Sequence, residues 1–146
     1  MTFPLALCTR RGWVLKLLLL DRGKMTPYVP RQLTSEESAL AEFLLSIEFP
    51  GRDELRKQLR LAQVTGTCEC GCGTILIRVN DATDKAVTTE RVVVEAYGKG
   101  VDVLMFVRDG TLSSIEIVDH GNARPLRYPI PEDLTLWVPP SRSSAG

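Results

Sequence analysis

Histidine is almost missing from this sequence: 146 residues contain one, His120. A Ser/His/Asp or Cys/His catalytic device therefore has a single candidate base, and no serine or cysteine is expected beside it. Also missing are the Gly-x4-Gly-Lys-Ser/Thr phosphate loop, His-Glu-x-x-His and Gly-x-Ser-x-Gly. Asp81, Asp84 and Glu90 share a polar stretch without calcium-loop spacing. Long hydrophobic runs are absent too. The greasiest, Trp13–Leu20, is eight residues interrupted by Lys16, against the roughly 20 that a bilayer-spanning helix needs. Nor is charge of one sign in excess, with 18 Lys and Arg against 18 Asp and Glu. That charge is unevenly placed. Residues 1–24 hold five bases and one acid, leaving 13 bases and 17 acids in residues 25–146. A body of that sign has no electrostatic attraction for nucleic acid or an anionic membrane surface. No mechanism of catalysis is legible, and the chain reads as a non-enzyme.

What the sequence does have is 44% hydrophobic residues, enough in one domain of this length for a substantial core without disulfide staples. The four cysteines are accordingly expected as thiols in a reducing cytoplasm. Thr9-Arg10-Arg11-Gly12-Trp13-Val14 is a faint twin-arginine pattern, but Asp21-Arg22-Gly23-Lys24 cuts off the apolar region and no small-residue cleavage site follows. Residues 1–24 are expected to be a non-domain extension upstream of a start at Met25. Residues 25–138 should form one domain and residues 139–146 a disordered tail.

Within the domain the hydrophobic period changes from helical to strand-like. Thr34 and Glu37 have capping-box spacing, and Leu40, Phe43, Leu44 and Ile47 form one helical stripe, predicting a helix over 34–48. Phe49-Pro50-Gly51 ends it. Leu55, Leu59 and Ala62 predict a second helix over 53–62. Its Arg52, Arg56 and Arg60 have no interleaved aromatic residue, so they read as a solvated face rather than a phosphate stripe. Period-two alternation follows at Gln63–Cys68, Thr74–Asn80, Arg91–Tyr97, Val101–Arg108 and Leu112–Val118, with turn signals at Gly98-Lys99-Gly100 and Asp109-Gly110. The expected fold class is α+β, two N-terminal amphipathic helices packed on one face of a four- or five-stranded antiparallel meander. The other face would stay open, with Leu76, Leu104 and Phe106 as its apolar patch. Pro131-Glu132-Asp133 suggests a single helical turn.

Cys68, Cys70 and Cys72 lie in Thr67–Thr74, the hinge between the two halves. In extended chain their Cα atoms are about 6.5–7 Å apart, but Gly71 and Gly73 permit a turn in which the sulfurs converge. Zinc needs a fourth ligand, for which Cys8, His120 or a carboxylate are the candidates. In a meander His120 would lie four strands away, about 19 Å. The spacing fits a thiol-lined hairpin, a metal site or, with no lysine or histidine adjacent to activate a thiolate, least well a redox thiol.

Phe49-Pro50-Gly51, Leu55-Arg56-x-Gln58-Leu59, Cys68-x-Cys70-Gly71-Cys72, Asp109-Gly110-x-Leu112 and Pro131-Glu132-Asp133-Leu134 together resemble a set of small uncharacterised bacterial proteins, over about Leu33–Trp137. The resemblance implies an α+β architecture and no activity. The functions carried forward are a small cytosolic binding module for a protein partner or for its own copy, without nucleic acid or membrane, and a zinc-binding or thiol-sensing protein at Cys68, Cys70 and Cys72.

Overall fold

The computed structural model describes residues 25–79, 89–121 and 128–140, with side chains from Val29 onward. The extension expected at 1–24, most of the polar stretch at 81–89 and residues 141–146 of the expected tail lie outside the described residues. Strand β1 spans Met25–Gln32, helix α1 Ser35–Leu44 and helix α2 Arg52–Leu59. Strands β2 (Ala62–Cys68), β3 (Ile75–Val79), β4 (Glu90–Gly98), β5 (Val101–Arg108) and β6 (Thr111–Asp119) follow, then a 3-10 turn at Pro131–Asp133 and β7 at Thr135–Trp137.

The expected two-helix, four- or five-stranded meander is not what forms. The molecule is mostly one antiparallel sheet of seven strands in the order β1-β2-β3-β6-β5-β4-β7, with two short helices. Three physical causes account for the difference. First, Pro27 and Pro30 disguise β1 in the sequence, because proline lacks the ladder N–H. An edge strand tolerates this, and the pairing with β2 breaks register between Pro27 and Arg31. The helices consequently follow a strand instead of opening the domain. Second, β3 pairs with β6, Ile75 opposite Ile115, so the sheet is not a meander. Third, β7 is three residues long, below the length at which alternation is readable.

Helix α1 starts where its cap dictates. The Glu37 N–H donates to Thr34 Oγ1 at 3.1 Å, and the Thr34 N–H donates to Glu37 Oε2 at 2.8 Å. The helix buries Leu40, Ala41 and Leu44 completely, as is Leu45 at its end. Helix α2 presents Leu55 to the core. Its Gln58 donates to the Gly110 carbonyl and accepts from the Leu112 N–H, both at 2.9 Å, tying the helix to the β5–β6 hairpin. Arg52 pairs with Glu48 at 2.7 Å and Asp53 at 2.9 Å, while Arg56 and Arg60 are exposed.

The helix side chains pack on one face of the sheet, with Val64, Ile75, Ile77, Val94, Val103, Met105 and Ile115 among its core. Val92, Leu104, Phe106 and Val118 form a separate cluster from the opposite parity. Leu104 and Phe106 retain 5% and 8% exposure and Leu76 is half-buried, so these three do not make the open apolar patch expected of that face. Among the described residues no helix is long and apolar enough to cross a membrane.

Candidate metal centre

The cysteine stretch joins β2 to β3 as a tight turn. Cys68 closes β2, its N–H donating to the Thr74 carbonyl at 3.1 Å, and the Gly71 N–H returns to the Cys68 carbonyl at 3.3 Å. Gly71 and Gly73 have φ of 78° and 94°, values that disfavour a side chain. At Gly73 space is also exhausted, since a Cβ would stand 2.9 Å from Ile117 Cδ1 and 3.1 Å from the Tyr128 ring. The two glycines thus turn the chain so that alternate cysteines, splayed in a straight strand, face one another.

The result is a compact sulfur cluster. The Sγ atoms of Cys68, Cys70 and Cys72 all lie within 4.8 Å of one another, and Cys68 and Cys70 are in contact at 3.0 Å. Cys68 and Cys72 are buried, Cys70 is half-buried, and Leu76 packs against the group. Cys70 is disulfide-bonded, whereas Cys68 and Cys72 are thiols. The Cys72 thiol is pushed far above the ordinary thiol range, first by its hydrogen bond with Cys68 and then by burial, against the opposing effect of Thr74.

Thr74 anchors the turn to the neighbouring strand. Its buried hydroxyl accepts from the Ile117 N–H at 3.0 Å and from the Cys72 thiol at 3.1 Å, and donates to the Ile117 carbonyl at 3.4 Å. In the sequence Thr74 reads only as a strand residue. Its partner is 43 positions away, so no local spacing marks it. Tyr128 packs against Gly73. Its phenol is raised above the usual range by burial and then by the charges of Glu37 and Glu36.

His120 is not four strands from the thiols, because β6 lies directly beside β3. It still does not enter the cluster, which contains the three cysteines alone among the described residues. Its Nε2 instead meets Asp102 Oδ2 at 2.7 Å, with half of the ring exposed. Cys8, the other candidate ligand, lies outside the described residues.

No protein-family model, curated protein or solved structure matches the chain. The chemistry of the site therefore rests on its own geometry.

Proposed function

We propose that the protein binds one zinc ion, or a similar thiophilic cation, through Cys68, Cys70 and Cys72 in their reduced state. The observation that carries this reading is the convergence of three sulfurs within 4.8 Å. A Zn–S bond of about 2.3 Å separates the sulfurs of a tetrahedral site by about 3.8 Å. The Cys68–Cys70 contact of 3.0 Å then opens by less than about 1 Å on binding. In the reduced protein a divalent cation would displace the thiol protons, and its charge would offset the repulsion among three thiolates this close. The fourth position falls to water or to a ligand outside the cluster.

An activated thiol sensor is the weaker alternative, because it needs a stabilised thiolate near a positive charge. No lysine, arginine or histidine belongs to the turn, and Glu69 beside it has the wrong sign. Metal loading requires that Cys70 first leave its disulfide. Two equivalents of a cellular thiol supply the two electrons and two protons that convert that bond to two thiols and leave as their own disulfide, so we place the metal-bound form in the reducing cytoplasm. The partner-binding reading draws less support, since of the apolar residues offered for it Leu104 and Phe106 are buried and Leu76 is half-buried.

The test is purification under reductant without chelator, followed by elemental analysis and titration with cobalt(II). About one metal per chain and sulfur-to-cobalt charge-transfer absorption are expected. Both should disappear in Cys68→Ser and Cys72→Ser. Equal, negligible binding by the reduced wild type and by these variants would overturn the proposal.

A further inference from the structure

We infer that Thr74 is a positioning residue of the thiol site: when metal is bound, its hydroxyl turns from the Ile117 carbonyl and donates to the Cys72 sulfur. This inference rests on the metal-binding reading above. Thr74 is 3% exposed. Its Oγ1 accepts from the Ile117 N–H at 3.0 Å and from the Cys72 thiol at 3.1 Å, and donates to the Ile117 carbonyl at 3.4 Å. A hydroxyl has one proton to give and two lone pairs to offer. With Cys72 as a thiol, that capacity is fully used.

Metal binding upsets the assignment from the Cys72 end. A metal-bound cysteine is a thiolate, with no proton to donate. The sulfur and Oγ1, 3.1 Å apart, then face each other as two acceptors. Rotation of the Thr74 hydroxyl resolves this, because its proton is free to turn about the Cβ–Oγ1 bond. The bond it leaves is the longest of the three, at 3.4 Å, beyond the usual range for a hydroxyl donor. The bond it forms is to a charged acceptor, roughly twice as strong as a neutral one. Strand β6 keeps the oxygen in place meanwhile. The β3–β6 ladder carries Leu76 opposite Ser114 and Ile75 opposite Ile115. Further along β6, at Ile117, the Thr74 side chain stands in for strand backbone, since it meets both the N–H and the carbonyl. The N–H bond survives the rotation, so Oγ1 stays while its proton moves. Ile117 Cδ1 also closes the space beside Gly73. One residue of β6 thus fixes both positions that follow Cys72.

The experiment titrates cobalt(II) into the full reduced chain as wild type, Thr74→Val and Thr74→Ser, with far-ultraviolet spectra to check folding. Thr74→Val keeps the shape and removes the hydroxyl. It should bind cobalt about tenfold more weakly. Its sulfur-to-cobalt band should also move to longer wavelength, because a sulfur without that donor gives up charge more readily. Thr74→Ser restores the hydroxyl and should return both values to near those of the wild type. An unshifted band in folded, cobalt-loaded Thr74→Val would reduce Thr74 to an anchor and overturn the inference. So would a Thr74→Ser that behaves like Thr74→Val. The wild type gives a second measurement that needs no variant to fold. Its Ile117 carbonyl-carbon resonance should move upfield on zinc addition, as the carbonyl loses the hydroxyl donor, and an unmoved resonance in the zinc-loaded protein would overturn the inference. These failures leave the metal site standing. A wild type that takes up neither ion removes the metal reading and this inference together.

Discussion

The two faces of the sheet solve burial in different ways. The helix-side face is hydrocarbon throughout its centre, with Val94, Met105, Val103 and Ile115 at zero exposure under Leu40 and Leu44. The opposite face mixes Leu104, Phe106 and Val118 with Ser114, Glu95 and Glu116, all nearly inaccessible. Apolar burial is non-directional, so the first face needs only volume and pattern. Buried carboxylates demand specific polar partners, and Glu95 accepts a hydrogen bond from the Tyr97 hydroxyl on the same strand. The sulfur cluster borders that second face through Leu76. Stability is thus concentrated on one side and chemical specificity on the other.

That division can be broken by paired substitutions. The largest effect is expected from Ile115→Ala in the helix-side core, which should cost about 2–5 kcal/mol in denaturant melts. Its metal stoichiometry should stay unchanged; a simultaneous loss of metal would show that the faces are not separable. Gly73→Ala should do the converse. Its φ of 94° and the contact with Ile117 put the cost at about 1–3 kcal/mol, and cobalt absorption should fall sharply because the turn no longer gathers the thiols. Full cobalt binding by a folded Gly73→Ala protein would deny the glycine its role.

The smallest effect concerns the entrance to the helix layer. Burial would raise the Glu37 pKa, but the hydrogen bond from Arg31, the Thr34 N–H and the Arg31 charge outweigh it and lower the value. Arg31 meets both carboxylate oxygens at 2.9 Å. A lowered native pKa means that the unfolded chain takes up the proton first as pH falls. The stabilisation is complete above the unfolded value near 4.5 and is lost as pH drops through the native one. Because the Arg31 side chain is 38% exposed, screening limits the gain to about 1 kcal/mol or less. Arg31→Gln should flatten this acid limb of the stability curve and leave stability well above pH 5 lower by the same amount. An identical limb in the variant would contradict the assignment.

Local signals in the sequence proved legible and long-range ones did not. Thr34 and Glu37 announce α1, Gly51 separates α2 from it, and the alternation at Val101–Arg108 matches β5 residue for residue. Each of these is written within one turn of helix or a few strand positions. The β3–β6 pairing brings together residues 40 apart, Ile75 and Ile115. Nothing in either strand alone distinguishes that partner from β4, so a meander is the default expectation, and a His120 four strands from the thiols follows from it. β1 was hidden by its prolines. At the thiol turn, the three cysteines and both glycines were readable as capable of convergence, whereas the Thr74 anchor was not, because its partners are backbone groups of β6.

The prolines that hid β1 have another consequence. Pro27 and Pro30 remove donors from one outer strand of the sheet. At the other margin β7 offers three residues before the chain reaches Pro139 and Pro140, and β4 runs past it carrying Glu90 and Arg91. Neither margin presents a long uninterrupted ladder to a passing extended chain. A sheet this rich in valine and isoleucine is thereby guarded against edge-to-edge growth into fibrils.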